Sequence, residues 1–215
     1  MREIGVDEAG KGPVIGSIFV AGVLNFDGLE ELCVKDSKRL SPTRREYLAD
    51  RIEEATEVYL MEMTASEIDA GRRRCTLNVI MVELFSEVIM PLQPDRAIVD
   101  AADVNPGRFA ANLRAQYEKV EGCEASEIEI ISESKADDRY PVVSAASIVA
   151  KVHRDRSIRA IESDIGAEIG SGYPADPKTV KFLKKLLKGK ELDAIPGYVR
   201  KSWKTVELYM HKGYK

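Results

Sequence analysis

The 215-residue chain has few cysteines and histidines and no long hydrophobic segment. Cys33, Cys75 and Cys123 form no Cys-x-x-Cys pair, which argues against a zinc site or a disulfide framework and indicates reduced thiols. The only histidines are His153 and His211, and no Ser-His-Asp or Cys-His arrangement is apparent. No apolar run is long enough to span a bilayer, and the first residues lack the hydrophobic segment of a signal peptide. These absences predict a cytoplasmic protein with no membrane partner.

The charge of the chain is distributed unevenly. A net charge of −4 alone argues against nucleic-acid binding. Residues 172–215, however, contain eleven Lys or Arg and four Asp or Glu, a net charge of +7, which leaves −11 on the remainder. Within this segment, a basic stripe on one predicted helix consists of Lys181, Lys184, Lys185 and Lys188. A basic segment on an acidic body predicts a polyanionic partner, and a solvated helical face is the alternative.

Hydrophobic periodicity predicts an α/β protein with a mixed sheet covered by helices on both faces. Five strands are predicted, at residues 2–7, 17–24, 57–63, 96–100 and 127–131. Helices are predicted to begin at or near Pro42, Leu77, Pro106, Pro141 and Pro177, with a last helix near Trp203. The 44% hydrophobic content suffices for one full domain. We expect this domain to span residues 1–171, with residues 172–215 as a basic helical segment packed on it.

Carboxylates follow two of the predicted strands. Asp7 and Glu8 come directly after the apolar residues 4–6, and Asp100 ends the strand 96–100. Because ligands gather at the carboxyl ends of parallel strands, we expect these side chains to meet at one edge of the sheet. Adjacent carboxylates repel each other unless a cation lies between them. A strand that simply ends in solvent is the alternative interpretation.

Asp137 is a further candidate, and its alternative role is to cap the helix that begins at Pro141. Asp103 and Asp138 lie close in sequence to Asp100 and Asp137, and spacing alone does not choose within either pair. Three or four carboxylates with no Cys or His nearby favour Mg²⁺ or Mn²⁺. Such a site fits metal-assisted phosphoryl transfer.

A glycine-bracketed lysine, Gly10-Lys11-Gly12, follows the first acids. Glycines allow backbone N–H groups to approach a phosphate or a sugar closely. The spacing to Gly16 does not match the Rossmann pattern, and Pro13 stands where a helix should begin. The run also lacks the frame of a Walker loop. A metal next to a phosphate is therefore the simplest joint interpretation of the acids and the glycines.

Seven motifs, in order along nearly the whole chain, resemble those of ribonuclease HII, the type 2 ribonuclease H, in its short single-chain archaeal-like form. They are Asp7-Glu-Ala-Gly-Lys-Gly-Pro-Val-Ile-Gly, Asp36-Ser-Lys-Arg-Leu, Thr76-Leu-Asn, Asp100-Ala-Ala-Asp, Lys135-Ala-Asp-Asp, Pro141-Val-Val-Ser-Ala-Ala-Ser-Ile-Val-Ala-Lys-Val and Gly170-Ser-Gly-Tyr-Pro. Each motif alone is weak, but seven in order are highly specific. The resemblance implies an RNase H-like fold, with a five-stranded mixed sheet flanked by helices and a C-terminal helical segment.

The same resemblance implies an activity. Family members cleave RNA endonucleolytically in RNA–DNA hybrids and at single ribonucleotides embedded in duplex DNA. Their four catalytic acids fall on Asp7, Glu8, Asp100 and Asp137. We expect the first three to hold one Mg²⁺ or Mn²⁺ and Asp137 to help hold a second. Attack by water 5′ to the ribonucleotide would leave a 3′-hydroxyl and a 5′-phosphate.

Substrate contacts are also implied by the resemblance. The backbone of Gly10, Lys11 and Gly12 would contact the ribose 2′-hydroxyl, the group that distinguishes RNA from DNA. Members commonly carry Arg where this chain has Lys11, a change that backbone contacts tolerate. Tyr173 would pack on the sugar next to the scissile phosphate, and a core aromatic is its alternative role. Three further positions near the substrate backbone are matched by Lys38, Asn78 and Arg154.

Other functions fit parts of the pattern. A junction resolvase also clusters carboxylates, but the Gly-Lys-Gly loop and the Gly-Tyr-Pro run argue against it. A silent nucleic-acid-binding protein would not need all four acids, and the basic segment weakens the case for a small-molecule phosphate enzyme. Some relatives carry a sliding-clamp peptide, but neither Gln93 nor Gln116 begins one and the last six residues offer none. We expect a monomer without strong clamp binding through such a peptide.

Overall fold

The computed structural model describes residues 1–32, 40–119 and 128–211. The strands are β1 (Glu3–Ala9), β2 (Ile18–Leu24), β3 (Val58–Met63), β4 (Arg96–Asp100) and β5 (Glu129–Glu133). The α-helices are α1 (Pro42–Ala55), α2 (Ala65–Arg72), α3 (Leu77–Leu92), α4 (Pro106–Tyr117), α5 (Pro141–Ile165), α6 (Pro177–Leu187) and α7 (Lys204–His211). Among the described residues, no helix combines the length and the apolar character needed to cross a bilayer.

The five strands form one sheet in the order β3-β2-β1-β4-β5. Strand β1 is antiparallel to β2 and parallel to β4, and β4 is parallel to β5. Six of the seven residues of β2 are buried, as expected for a strand that is covered on both faces. The predicted five-stranded mixed sheet is therefore confirmed.

Strand β1 is longer than the sequence predicts. Its parallel pairing with β4 ends where Val6 meets Val99, whereas its antiparallel pairing with β2 continues to Ala9. Asp7 and Glu8 consequently lie within β1, just beyond the last parallel pair with β4. The last strand also differs from its prediction, because β5 begins and ends two residues later than residues 127–131.

Three helices begin where capping chemistry predicts. Ser41, Asn105 and Asp176 each accept a hydrogen bond from a backbone N–H in the first turn of α1, α4 and α6, and each is followed by proline. Helix α2 was not predicted from the sequence, although Thr64 and Glu67 form a capping box at its start. It ends at Arg72, so in the basic run Arg72-Arg73-Arg74 only the first residue is helical and the other two form a turn.

The described residues form two compact units. The first unit comprises residues 1–9, 19–62 and 78–153 and contains almost the whole sheet. Its core joins strands β1, β2 and β4 to helices α1 and α5, with fully buried members that include Ala21, Leu48, Val143, Ile148 and Val149. This unit holds the candidate carboxylates.

The second unit comprises residues 10–18, 63–77 and 154–215. Its core includes Val14, Ile15, Ile158, Leu183 and Val199. A single antiparallel bridge pairs Ile15 with Val199, so residues after α6 bond to the loop that links β1 and β2. The predicted division between residues 171 and 172 stays a prediction.

Candidate active site

Strand register brings two of the predicted acids together in the first unit. Val6 pairs with Val99 across the parallel strands β1 and β4, so the next residues, Asp7 and Asp100, lie side by side. Asp137 reaches the same place from a short 3₁₀ turn, Ala136–Asp138, which follows β5. One carboxylate oxygen from each of these three aspartates lies within 4.8 Å of the other two. The prediction that Asp7 and Asp100 meet is confirmed.

The three carboxylates are held in a mostly buried position. Asp7 is 5% exposed and Asp137 is 6% exposed. The backbone N–H of Ala136 donates a hydrogen bond to Asp100 Oδ1 at 3.0 Å, which ties the 3₁₀ turn to the end of β4. The backbone N–H of Glu8 donates to Asp7 Oδ1 at 2.7 Å. These bonds orient the carboxylates before any ligand arrives.

Electrostatics within the group favour a cation. Burial and the charge of Asp100 raise the pKa of Asp7 well above its ordinary value, and a hydrogen bond with Ser147 opposes this rise. A divalent ion between the carboxylates would relieve both the burial cost and the mutual repulsion. The donor set of carboxylate oxygens suits a hard ion such as Mg²⁺ or Mn²⁺. The residues present therefore fit a divalent metal centre.

Glu8 is half-buried, and its negative charge further raises the pKa of Asp7. Within the described part of the chain, the group of close carboxylates consists of Asp7, Asp100 and Asp137 without it. A role for Glu8 as a metal ligand thus stays a prediction.

Two polar residues of helix α5 contact the carboxylate group, and neither was predicted from the sequence. Ser147 is fully buried and bonds to Asp7, and Lys151 lies one helical turn further along. The Lys151 ammonium donates to Ser147 Oγ at 2.6 Å and lies 4.0 Å from Asp137 Oδ2. The spacing of four residues on a buried helical face was the available signal.

The structure distinguishes the members of the two aspartate pairs, Asp100 with Asp103 and Asp137 with Asp138. Asp103 bonds to the Arg108 guanidinium at 2.5 and 3.1 Å and accepts a hydrogen bond from Asn78 Nδ2 at 3.3 Å. Asp138 is exposed, whereas its neighbour Asp137 is buried in the carboxylate group. The structure thus gives Asn78 a structural partner and leaves its predicted substrate contact a prediction.

The glycine loop lies in the second unit. Gly10 has a φ of 95°, and a Cβ there would lie 2.5 Å from the carbonyl oxygen of Ser17, so only glycine fits. A Cβ on Gly12 would lie 3.2 Å from Cε1 of Tyr173, which means that the aromatic ring rests against this glycine. Tyr173 is 43% exposed and is not a core aromatic. The structure therefore brings together the predicted loop and the predicted tyrosine.

Arg154 supports the same ring. Its guanidinium carbon lies 5.4 Å from the centroid of the Tyr173 ring, within cation–π range. Its two terminal nitrogens bond to the Asp155 carboxylate at 3.0 Å and to the carbonyl of Ser171. Arg154 is 9% exposed, and its contact with Tyr173 is the one with the ring face. Its predicted contact with the substrate backbone stays a prediction. Lys38 lies outside the described residues.

The fold and the carboxylate group define the class of protein. A five-stranded mixed sheet that carries acidic side chains on neighbouring parallel strands is an RNase H-like architecture, and the acids fit a divalent metal. Comparison with known proteins then narrows this class.

A family model for ribonuclease HII matches residues 4–206. A ribonuclease HII from Methanothrix thermoacetophila is 51% identical over 212 residues, with 96% of each chain covered. The crystal structure of ribonuclease H2 from Pyrococcus horikoshii superposes with a TM-score of 0.85 at 38% identity, covering 99% of this chain and 98% of that one. Ribonuclease HII in its PCNA complex from Archaeoglobus fulgidus gives a TM-score of 0.84 at 38% identity and coverages of 94% and 95%.

This chain belongs to the ribonuclease HII family. It is therefore an endoribonuclease, of a family that cleaves the RNA of RNA–DNA hybrids, and its acidic group is a candidate divalent-metal centre.

Proposed function

We propose that this enzyme cuts the 5′ side of single ribonucleotides in duplex DNA, as well as RNA in longer hybrids, by divalent-metal-assisted hydrolysis. The observation that carries this proposal is the mostly buried group of Asp7, Asp100 and Asp137, in which one carboxylate oxygen of each residue lies within 4.8 Å of the other two. The glycine loop with the Tyr173 ring against it supports ribose recognition. The products would carry a 3′-hydroxyl and a 5′-phosphate.

Asp7, Asp100 and Asp137 would hold Mg²⁺ or Mn²⁺, with Glu8 as a fourth acid. A bound ion would lower the pKa of an attacking water and stabilise the charge that develops on the phosphate. The carboxylates of this chain fix the position of that chemistry, because strand pairing and the Ala136 bond to Asp100 hold them in place. Lys151 offsets part of their negative charge.

Ribose recognition is assigned to the second unit. The backbone N–H groups of the Gly10–Gly12 loop can donate to a 2′-hydroxyl, which deoxyribose lacks. The exposed face of Tyr173 can pack on the neighbouring sugar, with Arg154 fixing the ring. The basic stripe on α6 would bind backbone phosphates without reading sequence. Lys38 and Asn78 are further proposed contacts.

Cleavage of labelled duplexes tests the proposal. Three substrates of one sequence are needed: DNA with one ribonucleotide, DNA with four ribonucleotides in one strand, and DNA alone. Each is incubated with Mg²⁺, Mn²⁺ or EDTA, and the product ends are mapped. We expect one metal-dependent cut 5′ to the lone ribonucleotide and no cut in the DNA control.

Two outcomes would contradict parts of this account. Cleavage of the four-ribonucleotide substrate alone would retain the nuclease but refute the roles given to the glycine loop and Tyr173 in single-ribonucleotide recognition. Cleavage of the all-DNA duplex would refute ribose recognition and favour a junction-resolvase type of nuclease.

The structural relative from Archaeoglobus fulgidus forms a complex with PCNA. For this chain we propose a monomer with no recognisable sliding-clamp peptide and no strong clamp binding through one. The size of the purified protein in solution, with and without a clamp, tests both proposals.

A further inference from the structure

Arg200 is a fully buried cation whose side chain bonds to the backbone of the glycine loop. Its Nε donates to the carbonyl of Gly16 at 2.9 Å, its Nη1 to that of Lys11 at 3.0 Å, and its Nη2 to that of Gly10 at 2.5 Å. The residue is 0% exposed. Burying a guanidinium is costly unless its N–H groups are bonded, and here loop carbonyls accept them.

Trp203 completes this arrangement. Its ring centroid lies 4.9 Å from the guanidinium carbon of Arg200, and its Nε1–H donates to the carbonyl of Gly12 at 3.3 Å. The carbonyls of three consecutive residues, 10–12, are thus held by one pair of side chains. The two residues after Arg200 are held separately: the backbone N–H groups of Lys201 and Ser202 donate hydrogen bonds to the Asp69 carboxylate at 2.7 and 2.9 Å.

The hydrogen bonds accepted by the loop carbonyls also fix the direction of the loop's backbone N–H groups. The described peptide bonds are all trans, and in a trans peptide the C=O of one residue points opposite to the N–H of the next. With the carbonyls of Gly10 and Lys11 directed at Arg200, the N–H groups of Lys11 and Gly12 point away from it. Pro13 has no N–H, so the loop offers these two donors side by side.

We propose that Arg200 is a positioning residue that, with Trp203, aims the N–H groups of Lys11 and Gly12 at the ribose 2′-hydroxyl. The inference rests on the proposed ribose recognition by this loop. It assigns specificity for ribonucleotides partly to a side chain that touches no substrate atom. The planar fork of arginine suits the task, since it reaches several carbonyls at fixed angles, whereas a lysine ammonium cannot reproduce that geometry.

The test measures selectivity rather than activity alone. Wild type, Arg200→Lys and Trp203→Phe are compared for their affinity for a duplex with one ribonucleotide and for an all-DNA duplex of the same sequence, in EDTA to prevent cleavage. Cleavage kinetics, Mn²⁺ binding by calorimetry and the melting temperature are measured in parallel. Arg159→Lys, an exposed arginine on α5, is the matched control.

We expect the ratio of the two affinities to fall about tenfold in Arg200→Lys, the scale of one or two misdirected hydrogen bonds. The fall should be smaller but measurable in Trp203→Phe, because the Gly12 carbonyl that loses its donor lies opposite Pro13, which has no N–H. The affinity for all-DNA duplex and the binding of Mn²⁺ should not change, and Arg159→Lys should behave as wild type. Trp203→Phe keeps most of the packing and removes only the Nε1–H donor, so it decides the question if Arg200→Lys does not fold.

Three results would contradict the inference. An unchanged ratio in Trp203→Phe and a folded Arg200→Lys would show that the loop needs no such positioning. A parallel fall of both affinities with the melting temperature would show a merely structural role. A wild-type ratio near one would refute ribose recognition itself, and the inference with it.

Discussion

Asp100 accepts a hydrogen bond from the backbone N–H of Ala136 at 3.0 Å, and this bond joins the end of β4 to the turn that carries Asp137. The two residues are 36 positions apart in the sequence. Preorganisation of the acidic group thus uses backbone bonds as well as strand register.

Lys151 should stabilise the carboxylate group in the absence of metal. Lys151→Met is expected to lower the free energy of unfolding by about 1 kcal/mol, because a positive charge near Asp137 is lost. Added Mn²⁺ should then restore more stability to the variant than to the wild type. Thermal unfolding with and without Mn²⁺ measures both effects. Lys151→Arg keeps the charge and serves as the control, and an equal Mn²⁺ response in all three proteins would contradict this role.

Tyr173 should matter for cleavage far more than for stability. The ring is 43% exposed, so Tyr173→Ala should hardly change the melting temperature. Because the substrate would lose a packing surface, cleavage at a single ribonucleotide should fall at least about tenfold. Tyr173→Phe retains the ring and should keep most of the activity. Equal losses in the two variants would show that the hydroxyl, rather than the ring face, carries the role.

Asp176 should make stability depend on acid pH. Hydrogen bonds from Ser171 and from the backbone of Lys178 lower the pKa of Asp176 to about 2. Because the folded-state pKa is depressed, the stabilisation is present above the unfolded-state pKa of about 4 and disappears as the pH falls through about 2. Asp176→Asn should therefore be less stable than wild type at about pH 5, and the difference should shrink towards pH 2.5. Urea unfolding across this range checks it, and a constant difference would contradict it.

The basic stripe, formed by three lysines of α6 and by Lys188 directly after it, should bind duplex phosphates. Replacing Lys181, Lys184, Lys185 and Lys188 with Glu should weaken binding and reduce the slope of log affinity against log salt by up to about 3.6, since each of four phosphate contacts contributes about 0.9. The effect should be the same for ribonucleotide-containing and all-DNA duplexes, because phosphates carry no sequence information. Fluorescence anisotropy at several salt concentrations measures the slope. An unchanged slope would refute this surface.

Local features of the fold were predictable from the sequence. The caps at Ser41, Asn105 and Asp176 and the boundaries of β4 followed from short-range chemistry. The acids on the central parallel strands were predictable because Asp7 and Asp100 follow buried runs. Helix α2 was not predictable from hydrophobic periodicity, because its eight residues contain few large apolar side chains, and its one local signal is the capping box of Thr64 and Glu67.

Long-range partners could not be predicted from spacing. The choice between Asp100 and Asp103 depends on Arg108, which binds Asp103 and removes it from the carboxylate group. Arg200 bonds to carbonyls 184 to 190 positions earlier in the chain, and no local pattern indicates such a pairing. Lys151 reaches the acids only because α5 packs its polar residues beside them.

Two adjacent aspartates offer the most direct test of the candidate centre. Asp137 is 6% exposed and belongs to the group of three carboxylates, whereas Asp138 is exposed in the same short turn. The decisive measurement compares metal-dependent cleavage of a single-ribonucleotide duplex by Asp137→Asn and Asp138→Asn. We predict a loss of about 10² or more for Asp137→Asn and activity within about twofold of wild type for Asp138→Asn. Full activity of a folded Asp137→Asn variant would contradict the assignment of the metal centre.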